Sequence, residues 1–557
     1  MNRRTRRIIR AYLSRFDILL VLLVPAIFAM GTVGFRIFLM SAGDEEFADL
    51  TWLDCMYSAL CAFILEWDAP MGPKPWQLEL FRWLAPLSII AAVAGVLSKV
   101  LAREWPRLRA RLSRQHTLVC GLGARGTWIC REVMRTGGGE AVAVELDGSG
   151  DPAVELQEKG VVTLQGNARD ITVLQAANLR RAQRVVIVTG DDETNLAIAK
   201  EVAEEVQHCQ KQPEIVAAVE GYAPRAYFAA KLWQTNRIRI VGFRHYASLR
   251  LANEIAQKLA EKYGPIPARP PVLCVEASDA LRIELLRALI MLVQISGDDR
   301  PIIHICGADS RDRAYFDDLF PSANLAARLH WHRKSAIKLL RKRAKGFDQI
   351  DAAIFALEPD TASLHAAESF KMACANDQPM VYACMLDTDD LLTLAENNSW
   401  DDESGTGITV KSLYKLEHGC EQNASLFDLY EKGAEAIAKK YDDLYPPADP
   451  KLLTFKNKTL FLQDSNRMAA MHADIKKELW KKHVSGVEND EQVIEHLCKC
   501  EHMRWIGFHV MEGWQKKKKK KDTQRKRHPD LIPFASLDAK GQAKDKDPVN
   551  WAIKGEC

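Results

Sequence analysis

His116-Thr-Leu-Val-Cys-Gly-Leu-Gly-Ala-Arg-Gly126 runs from a short apolar strand directly into a Gly-x-Gly-x-x-Gly turn. In such a turn Gly121 permits the sharp reversal, Gly123 lets a pyrophosphate approach the backbone, and Gly126 lets the following helix pack closely on the strand. The helix read over 127–135 starts beside Ala124 and Arg125, and its N-terminal amides supply positive potential for an anion. A second strand, 141–144, ends at Glu145, about 20 residues beyond the glycines, where a carboxylate reaches a ribose hydroxyl pair. The pattern predicts a Rossmann-like α/β domain for NAD(H) or another adenine nucleotide. The same loop can also persist in a fold that holds no ligand.

The domain continues downstream. A strand over 161–164 leads to Gly166-Asn-Ala-Arg-Asp170, and a helix over 171–177 follows. A strand over 184–188 then opens into Thr189-Gly-Asp-Asp-Glu-Thr-Asn195. Over residues 115–260 this succession resembles the RCK/TrkA-N family, the cytoplasmic regulators of potassium channels and transporters. The family pattern is a Gly-Asp-Ala-Thr turn and then a D-[DE]-x-N turn. Asn167 here stands where Asp is usual, and Arg169 where Thr is usual. The resemblance implies a nucleotide-binding domain that assembles face to face and opens or closes an attached pore. It places Gly121, Gly123, Ala124, Arg125, Gly126, Glu145, Asn167, Ala168, Thr189, Asp191 and Asn195 at the nucleotide.

Upstream of the loop lie two apolar stretches, 16–40 and 81–101, broken only near their ends by Asp17, Arg36, Arg82 and Lys99. Each can supply the roughly 20 residues that a bilayer core requires. Arginines 3, 4, 6, 7, 10 and 15 precede the first, and arginines 103, 107, 109, 111 and 114 follow the second in what reads as a short basic linker. The intervening segment is acidic. The positive-inside rule then places both termini in the cytoplasm, the expected location being an inner membrane. Within that segment, 50–65 is apolar but too short to span, and reads as a re-entrant or interfacial helix.

Span, short helix and span make the layout of a two-helix pore subunit, of which several copies, a dimer or tetramer, would be needed to enclose water. The stretch LDCMYSALCAFILEWDAP resembles the pore-helix region of the potassium-channel family. Leu65-Glu66-Trp67-Asp68 follows it in place of a Thr-Val-Gly-Tyr-Gly filter. Selectivity is therefore expected from side chains such as Glu66 or Asp68. The string Thr32-Val-Gly-Phe35 lies inside the first span and reads as coincidence. Gly95, among small residues, reads as a hinge or as a point of close helix packing. A plain membrane anchor is the simpler alternative.

A chain of 557 residues implies about three to four folded units. Mean hydropathy is slightly negative, so the membrane part is a minor fraction. Thirteen cysteines are scattered without a disulfide framework, as in a reduced, cytosol-facing protein. Walker A, H-E-x-x-H, G-x-S-x-G and C-x-x-C metal pairs are absent, and no acid–base constellation follows the nucleotide fold. An enzyme is not expected.

Beyond the proline-rich run 265–271, short apolar strands at 272–275, 302–306, 352–357 and 380–385 alternate with helices. They predict a second, degenerate Rossmann-like layer without a glycine loop. His330 and His332 share one strand face, in surface or packing roles. Residues 396–412 read as an exposed loop, and a helix follows over 426–441.

Near the end, Ser465-Asn-Arg467 precedes a helix, Glu501-His-Met-Arg-Trp505 leads to Glu512-Gly-Trp514, and His528-Pro-Asp-Leu-Ile-Pro-Phe534 closes the pattern. Over 460–553 this resembles the RyR domain, the repeat of ryanodine receptors that also occurs in bacterial proteins. The resemblance implies a ligand-sensing module, with a nucleotide-like second messenger, such as a cyclic nucleotide, as the ligand class. Its pocket would use Glu501, Arg504, Trp505, Trp514, Pro529 and Pro533, the two indoles forming walls if Gly513 ends the helix. Core packing of both tryptophans is the alternative. The lysine run 516–521 is a cationic loop suited to phosphate-rich ligands or anionic lipid. Nucleic acid is not expected, for want of a stacking platform. His496, Cys498, Cys500 and His502 do not form a four-ligand set, and no metal is expected.

The sequence thus predicts a two-helix transmembrane hairpin with a re-entrant segment, then α/β Rossmann-like domains, then a mainly α RyR-like domain. The boundaries are a membrane module at 1–114, nucleotide-binding domain at 115–264, second α/β domain at 265–395, linker and helical region at 396–459, and C-terminal domain at 460–557. The leading functional expectation is a ligand-gated, channel-like membrane protein for cations, potassium included. The alternatives are an antiviral effector that permeabilises the membrane on binding a nucleotide messenger, and a membrane-anchored NAD-dependent oxidoreductase.

Overall fold

A computed structural model describes residues 3–555 except 42–50, 64–73, 136, 138, 149, 237, 375–378, 386–406, 413–430, 448, 482–489 and 518–519. Three helices open the chain: α1 Arg3–Ser41, α2 Trp52–Phe63 and α3 Trp76–Leu112. Leu22–Ser41 in α1 and Trp76–Gly95 in α3 are long and apolar enough to cross a membrane. Both windows lie a few residues from the stretches that sequence alone suggests. The short apolar segment between them is helical, as expected, and buries Cys55, Ala59 and Ala62 on one face.

The three helices meet around Phe81. Its ring packs edge-on to Phe35 at 6.3 Å and to Phe63 at 5.6 Å. A Cβ on Gly31 would lie 2.5 Å from the Phe81 ring, and one on Gly34 would lie 3.0 Å from the Leu78 backbone nitrogen. These two glycines, the second within the Thr32–Phe35 string, are where α1 and α3 approach most closely. Gly95 is not such a point, since a Cβ there meets nothing within 4 Å. Glu66 and Asp68 lie outside the described residues.

The expected basic linker is instead the continuation of α3, one helix of 37 residues running to Leu112. Its last turn inserts Ala110 into the core of the next domain.

That domain is a parallel sheet of β1 Thr117–Cys120, β2 Ala141–Glu145, β3 Val162–Gln165, β4 Arg184–Ile187, β5 Glu214–Ala218 and β6 Ile238–Val241, ordered β3-β2-β1-β4-β5-β6. Its crossover helices are α4 Ala124–Arg135, α5 Asp151–Glu158, α6 Ile171–Ala176, α7 Asp192–Val206 and α8 Tyr222–Asn236. The central β1 is wholly buried, which is why it reads as a continuous apolar run rather than as an alternation.

Helix α9 Phe243–Tyr263 carries the chain to a second sheet: β7 Val272–Ala277, β8 Ile302–Cys306, β9 Arg328–Trp331, β10 Ala352–Ala356, β11 Met380–Met385 and β12 Ile408–Ser412. The order β12-β11-β10-β7-β8-β9 repeats the doubly wound arrangement of the first. The second layer is therefore a six-stranded Rossmann-like sheet, as expected, without the glycine loop of the first. Strand β12, within the stretch expected to be an exposed loop, pairs in parallel with β11 from Val381↔Ile408 to Met385↔Ser412. The covering helices are α10 Asp279–Leu292, α11 Ser310–Leu319, α12 Ala336–Arg341 and α13 Asp360–Ala373.

Four helices end the chain: α14 Glu431–Leu444, α15 Leu460–Lys481, α16 Asp490–Met511 and α17 Ala539–Ile553. They do not form a separate bead. Leu259 of α9, Leu289 of α10, Ile475 of α15 and Phe508 of α16 share one apolar core with the second sheet. Close approach of α16 to α10 depends on Gly507, where a Cβ would lie 2.6 Å from the Ile290 carbonyl oxygen. Gly507→Ala is accordingly expected to cost about 1–3 kcal/mol through overpacking. Gly95→Ala, which meets no neighbour, should leave stability unchanged or slightly raised. Denaturant melts of the two variants against wild type check this, and equal midpoints for Gly507→Ala and wild type would refute the packing account.

Candidate functional site

A cleft of about 880 Å³ opens at the carboxyl ends of β1, β2 and β4, where the strand order reverses and ligands of doubly wound folds bind. Gly121, Gly123, Ala124, Arg125, Glu145, Asn167, Ala168, Thr189 and Asp191 line it, with Glu220 and Arg244 on the far wall. The glycines divide their work as expected. Gly121 has φ +96°, and a Cβ on Gly126 would sit 1.9 Å from the Gly121 carbonyl oxygen. A Cβ on Gly123 would meet nothing within 4 Å, so this residue faces open space beside the loop.

Gly126 therefore shapes the loop from beneath, and Asn195 also works from behind the wall rather than in it. The Asn195 carboxamide oxygen accepts from the Thr189 amide (2.8 Å) and hydroxyl (2.6 Å), while its nitrogen donates to the Ala218 carbonyl (2.9 Å). It clamps the ends of β4 and β5 and is 2% exposed.

The acids of the cleft are held by backbone. Glu145 accepts from the Leu122 amide and from the Leu146 amide (2.8 Å), tying the end of β2 to the glycine loop. Asp191 caps α7 through the Thr194 amide (2.7 Å), and its hydrogen bonds to Thr194 hold its carboxyl below the usual range. Asp192 accepts from the amides of Glu220 and Gly221, both at 3.0 Å. Glu220 in turn accepts from the amides of Phe243 (3.0 Å) and Arg244 (3.1 Å) and pairs with Arg125 at 3.0 Å. The cleft walls are thus tied to one another through backbone amides.

Sequence reasoning missed Asn178. It has φ +57°, and its side-chain amide donates to the carbonyls of Arg111 (3.0 Å) and Ser113 (2.7 Å) at the end of α3. Helix α3 is thereby fastened to the segment that follows the cleft turn at Asn167. An asparagine tolerates the left-handed region better than most residues, but the sequence gives no hint of its partner.

Also missed was a buried charge cluster between the two sheets. Glu284 of α10, with a side chain 1% exposed, accepts from Arg225 of α8, from His245 Nδ1–H of α9 (2.8 Å) and from Arg287 (3.2 Å). Arg287 reaches on to Glu512 (2.7 Å) and to the Met511 carbonyl (3.3 Å), which also accepts from the Tyr222 hydroxyl (3.4 Å). Burial pushes the Glu284 carboxyl up. Arg225, then His245 and Arg287, outweigh that and hold it well below the carboxylate range. The available signal was Arg282, Glu284 and Arg287 set among the leucines and isoleucines of one helix.

At the C-terminal end a second cavity, of about 470 Å³, takes Arg504 and Trp505 into its wall. The other expected pocket residues lie elsewhere. Glu501 is buried beneath the wall and accepts from Lys476 (2.6 Å) and Arg504 (2.7 Å). Gly513, at φ +80°, does end the helix, but the chain then turns Trp514 into the core against Phe461, with ring centroids 5.5 Å apart. Pro529 and Pro533 do not line the cavity. His330 and His332 flank His304, whose ring stacks on theirs at 5.2 and 5.3 Å. Burial, followed by its two histidine neighbours, pushes His304 down to about 4. His496 and Cys500 pack against the turn at residues 295–297, through the Ile295 carbonyl and the Gly297 amide.

Residues 117–229 match the TrkA-N domain, and residues 482–555 match the RyR domain. The chain carries both domains. No curated protein matches it in sequence. Among solved structures, "Crystal structure of the GsuK bound to ADP" is 15% identical over 72% of this chain and 96% of that chain, with a TM-score of 0.37. "Crystal Structure of the GsuK RCK domain" is 11% identical over 54% and 74%, with a TM-score of 0.35. A dipicolinate synthase chain from Bacillus halodurans is 13% identical over 54% and 91%, with a TM-score of 0.21. At these TM-scores the likeness says nothing of function. The TrkA-N match contains the glycine loop and the turns at Asn167 and Asp191, while α14, α15 and half of the second cavity lie outside the RyR match.

Glu284→Gln should cost about 3–5 kcal/mol, because it strands the buried Arg225 guanidinium without its counter-charge and leaves Arg287 with Glu512 alone. A carboxyl whose native pKa is depressed contributes its stability in full above the unfolded value of about 4.3 and loses it only below. The gap between wild type and Glu284→Gln should therefore stay constant as pH falls from 7 to about 5. Chemical denaturation at the two pH values checks both statements, and a gap under about 1 kcal/mol would contradict the cluster's structural weight.

Proposed function

We propose that the chain is one subunit of a ligand-gated, channel-like membrane protein. The TrkA-N domain binds NAD(H) or another adenine nucleotide, the RyR end is a second sensor, and both set the state of the two-helix membrane module. The transported species in this reading is a cation, potassium included. Copies of the chain assemble around the path, because one hairpin cannot enclose water. The termini lie on the cytoplasmic side, and the chain is regulatory rather than enzymatic.

The observation that carries this reading is the unbroken α3. It extends from a span-length apolar segment into the core of the TrkA-N domain, and Asn178 ties its end to the element that follows the cleft. A nucleotide that prefers one arrangement of the cleft walls can thus bias the helix, by no more than its difference in affinity between the two states.

Gly123→Val is the direct test, since it puts a side chain into open space where a pyrophosphate would lie. Adenine-nucleotide affinity, read by calorimetry on the full-length protein in nanodiscs, should fall about tenfold or more, equivalent to one lost charge-assisted hydrogen bond. The unliganded melting temperature should not move. Asn178→Leu should keep the affinity and lose the nucleotide dependence of cation flux in liposomes. Turnover of NADH with a carbonyl substrate would overturn the regulatory reading, as would wild-type protein that passes no cation with any adenine nucleotide.

A further inference from the structure

The cavity at the C-terminal end has a wall that the functions assigned so far do not use. It lies among α14, α15, α16, α17 and the segment after the lysine run, and is lined by Tyr441, Arg504, Trp505, Lys521, His528 and Lys544 among others. Its charges do not cancel. Asp442 is neutralised by Lys458 at 2.8 Å, and Asp545 by His502 at 2.9 Å. His502 is a cation by its geometry, since Nδ1 faces a carboxylate and Nε2 a carbonyl, and both of those only accept. Glu501 below the floor is shared between Lys476 and Arg504. Against Lys521, Lys544 and the shared Arg504, the wall offers only the half-exposed Asp530, leaving an excess of positive charge.

Arg504 supplies the sharper observation. Its Nε and Nη2 donate to Glu501 at 3.0 and 2.7 Å, but Nη1 is buried and has no hydrogen-bond partner. The residue is 3% exposed and lines the cavity. A buried charged donor without an acceptor is costly, and native proteins rarely leave one. Beside it, His528 Nδ1 accepts from the Asp530 amide at 3.1 Å, which leaves Nε2–H as the ring's donor. Burial, and then Lys521, push His528 down to about 4, so the ring is a neutral donor near pH 7. Trp505 adds a partly exposed indole backed by His502, stacked at 5.7 Å and 14°.

We propose that this cavity is a ligand site for a phosphorylated small molecule of mononucleotide size, its phosphate held by Arg504, Lys521, Lys544 and His528 and its planar ring against Trp505. The arginine and histidine are positioned by the fold, and the two lysines reach the cavity from exposed positions. It extends the role of second sensor proposed for this end of the chain, and is separate from the TrkA-N cleft.

The test uses full-length protein carrying Gly123→Val, so that the first cleft binds about tenfold or more weakly and is separated from the second site by affinity and stoichiometry. Calorimetry with AMP, 3′,5′-cyclic AMP, ADP, adenosine and inorganic phosphate should show saturable binding of at least one nucleotide, weaker binding of phosphate and none of adenosine. Adding Lys521→Glu and Lys544→Glu, both at exposed positions, should weaken that nucleotide about tenfold or more while the melting temperature holds. Arg504→Lys tests the unpartnered Nη1 separately, and should weaken binding without unfolding the Glu501 cluster. The inference is overturned if no nucleotide binds in the Gly123→Val background, if phosphate binds as tightly as the nucleotides, or if the double lysine variant keeps full affinity. Loss of flux control with binding intact here would instead count against the gating role.

Discussion

The carboxylate of Glu284 is the constraint on which the arrangement of the two sheets and the C-terminal helices depends. It sits in α10, on the second sheet, and its hydrogen-bond partners come from α8 and α9 of the first. Arg287, one turn along, carries the same cluster to the end of α16. An isolated carboxylate at that depth would cost far more than a fold can supply. Each element that reaches the cluster is therefore fixed in place: α8 through Arg225, α9 through the His245 hydrogen bond, and α16 through the Met511 carbonyl and Glu512 carboxylate that accept from Arg287. The apolar core common to α9, α10, α15 and α16 supplies the bulk attraction, and the charge cluster sets the register.

The first cleft follows the same logic on a smaller scale. Its acids accept from backbone amides of the very turns that form its walls, so the shape is specified without a ligand. That is the condition for a site that reports occupancy, because little ordering is left to oppose binding. The second sheet shows the contrast. At the end of β7, where the first sheet has its glycine turn, Glu276 accepts from the Ala336 amide at 2.8 Å, and α10 follows as a buried helix. A carboxylate stands where an anion would need to bind, and this sheet serves to hold its neighbours.

How far these features were legible from sequence depends on whether they were local. The glycine loop, the crossover pattern and the apolar spans are periodicities or short spacings, and the structure has them close to where they were expected. Strand β12 was not legible because Ile408–Ser412 has only five residues after a polar stretch, and its pairing with β11 is a tertiary choice. The continuity of α3 was hidden by its arginines, which read as a linker although arginine is a good helix former. Asn195 and Glu501 have the residue types of binding groups yet serve the fold. Whether a polar side chain faces a cleft or a backbone carbonyl is settled by packing across the sheet. Asn178 acts through carbonyls 65 and 67 residues away, and Glu284 binds α8 and α9 through partners 59 and 39 residues away, beyond any spacing rule.

Magnitudes restrict how a ligand could move this molecule. Removing one partner from a buried charge cluster costs about 3–5 kcal/mol, whereas coupling between two sites is typically about 1–3 kcal/mol. A bound nucleotide therefore lacks the energy to pull α8, α10 and the end of α16 apart. On that scale the first sheet, the second sheet and the C-terminal helices stay together as one body. The connection between that body and the span is α3, which contains Pro106 between its apolar segment and the Asn178 clasp. Proline removes one intrahelical hydrogen bond at that point. Bending there costs less than opening the Glu284 cluster, so α3 yields at Pro106 before the two sheets part.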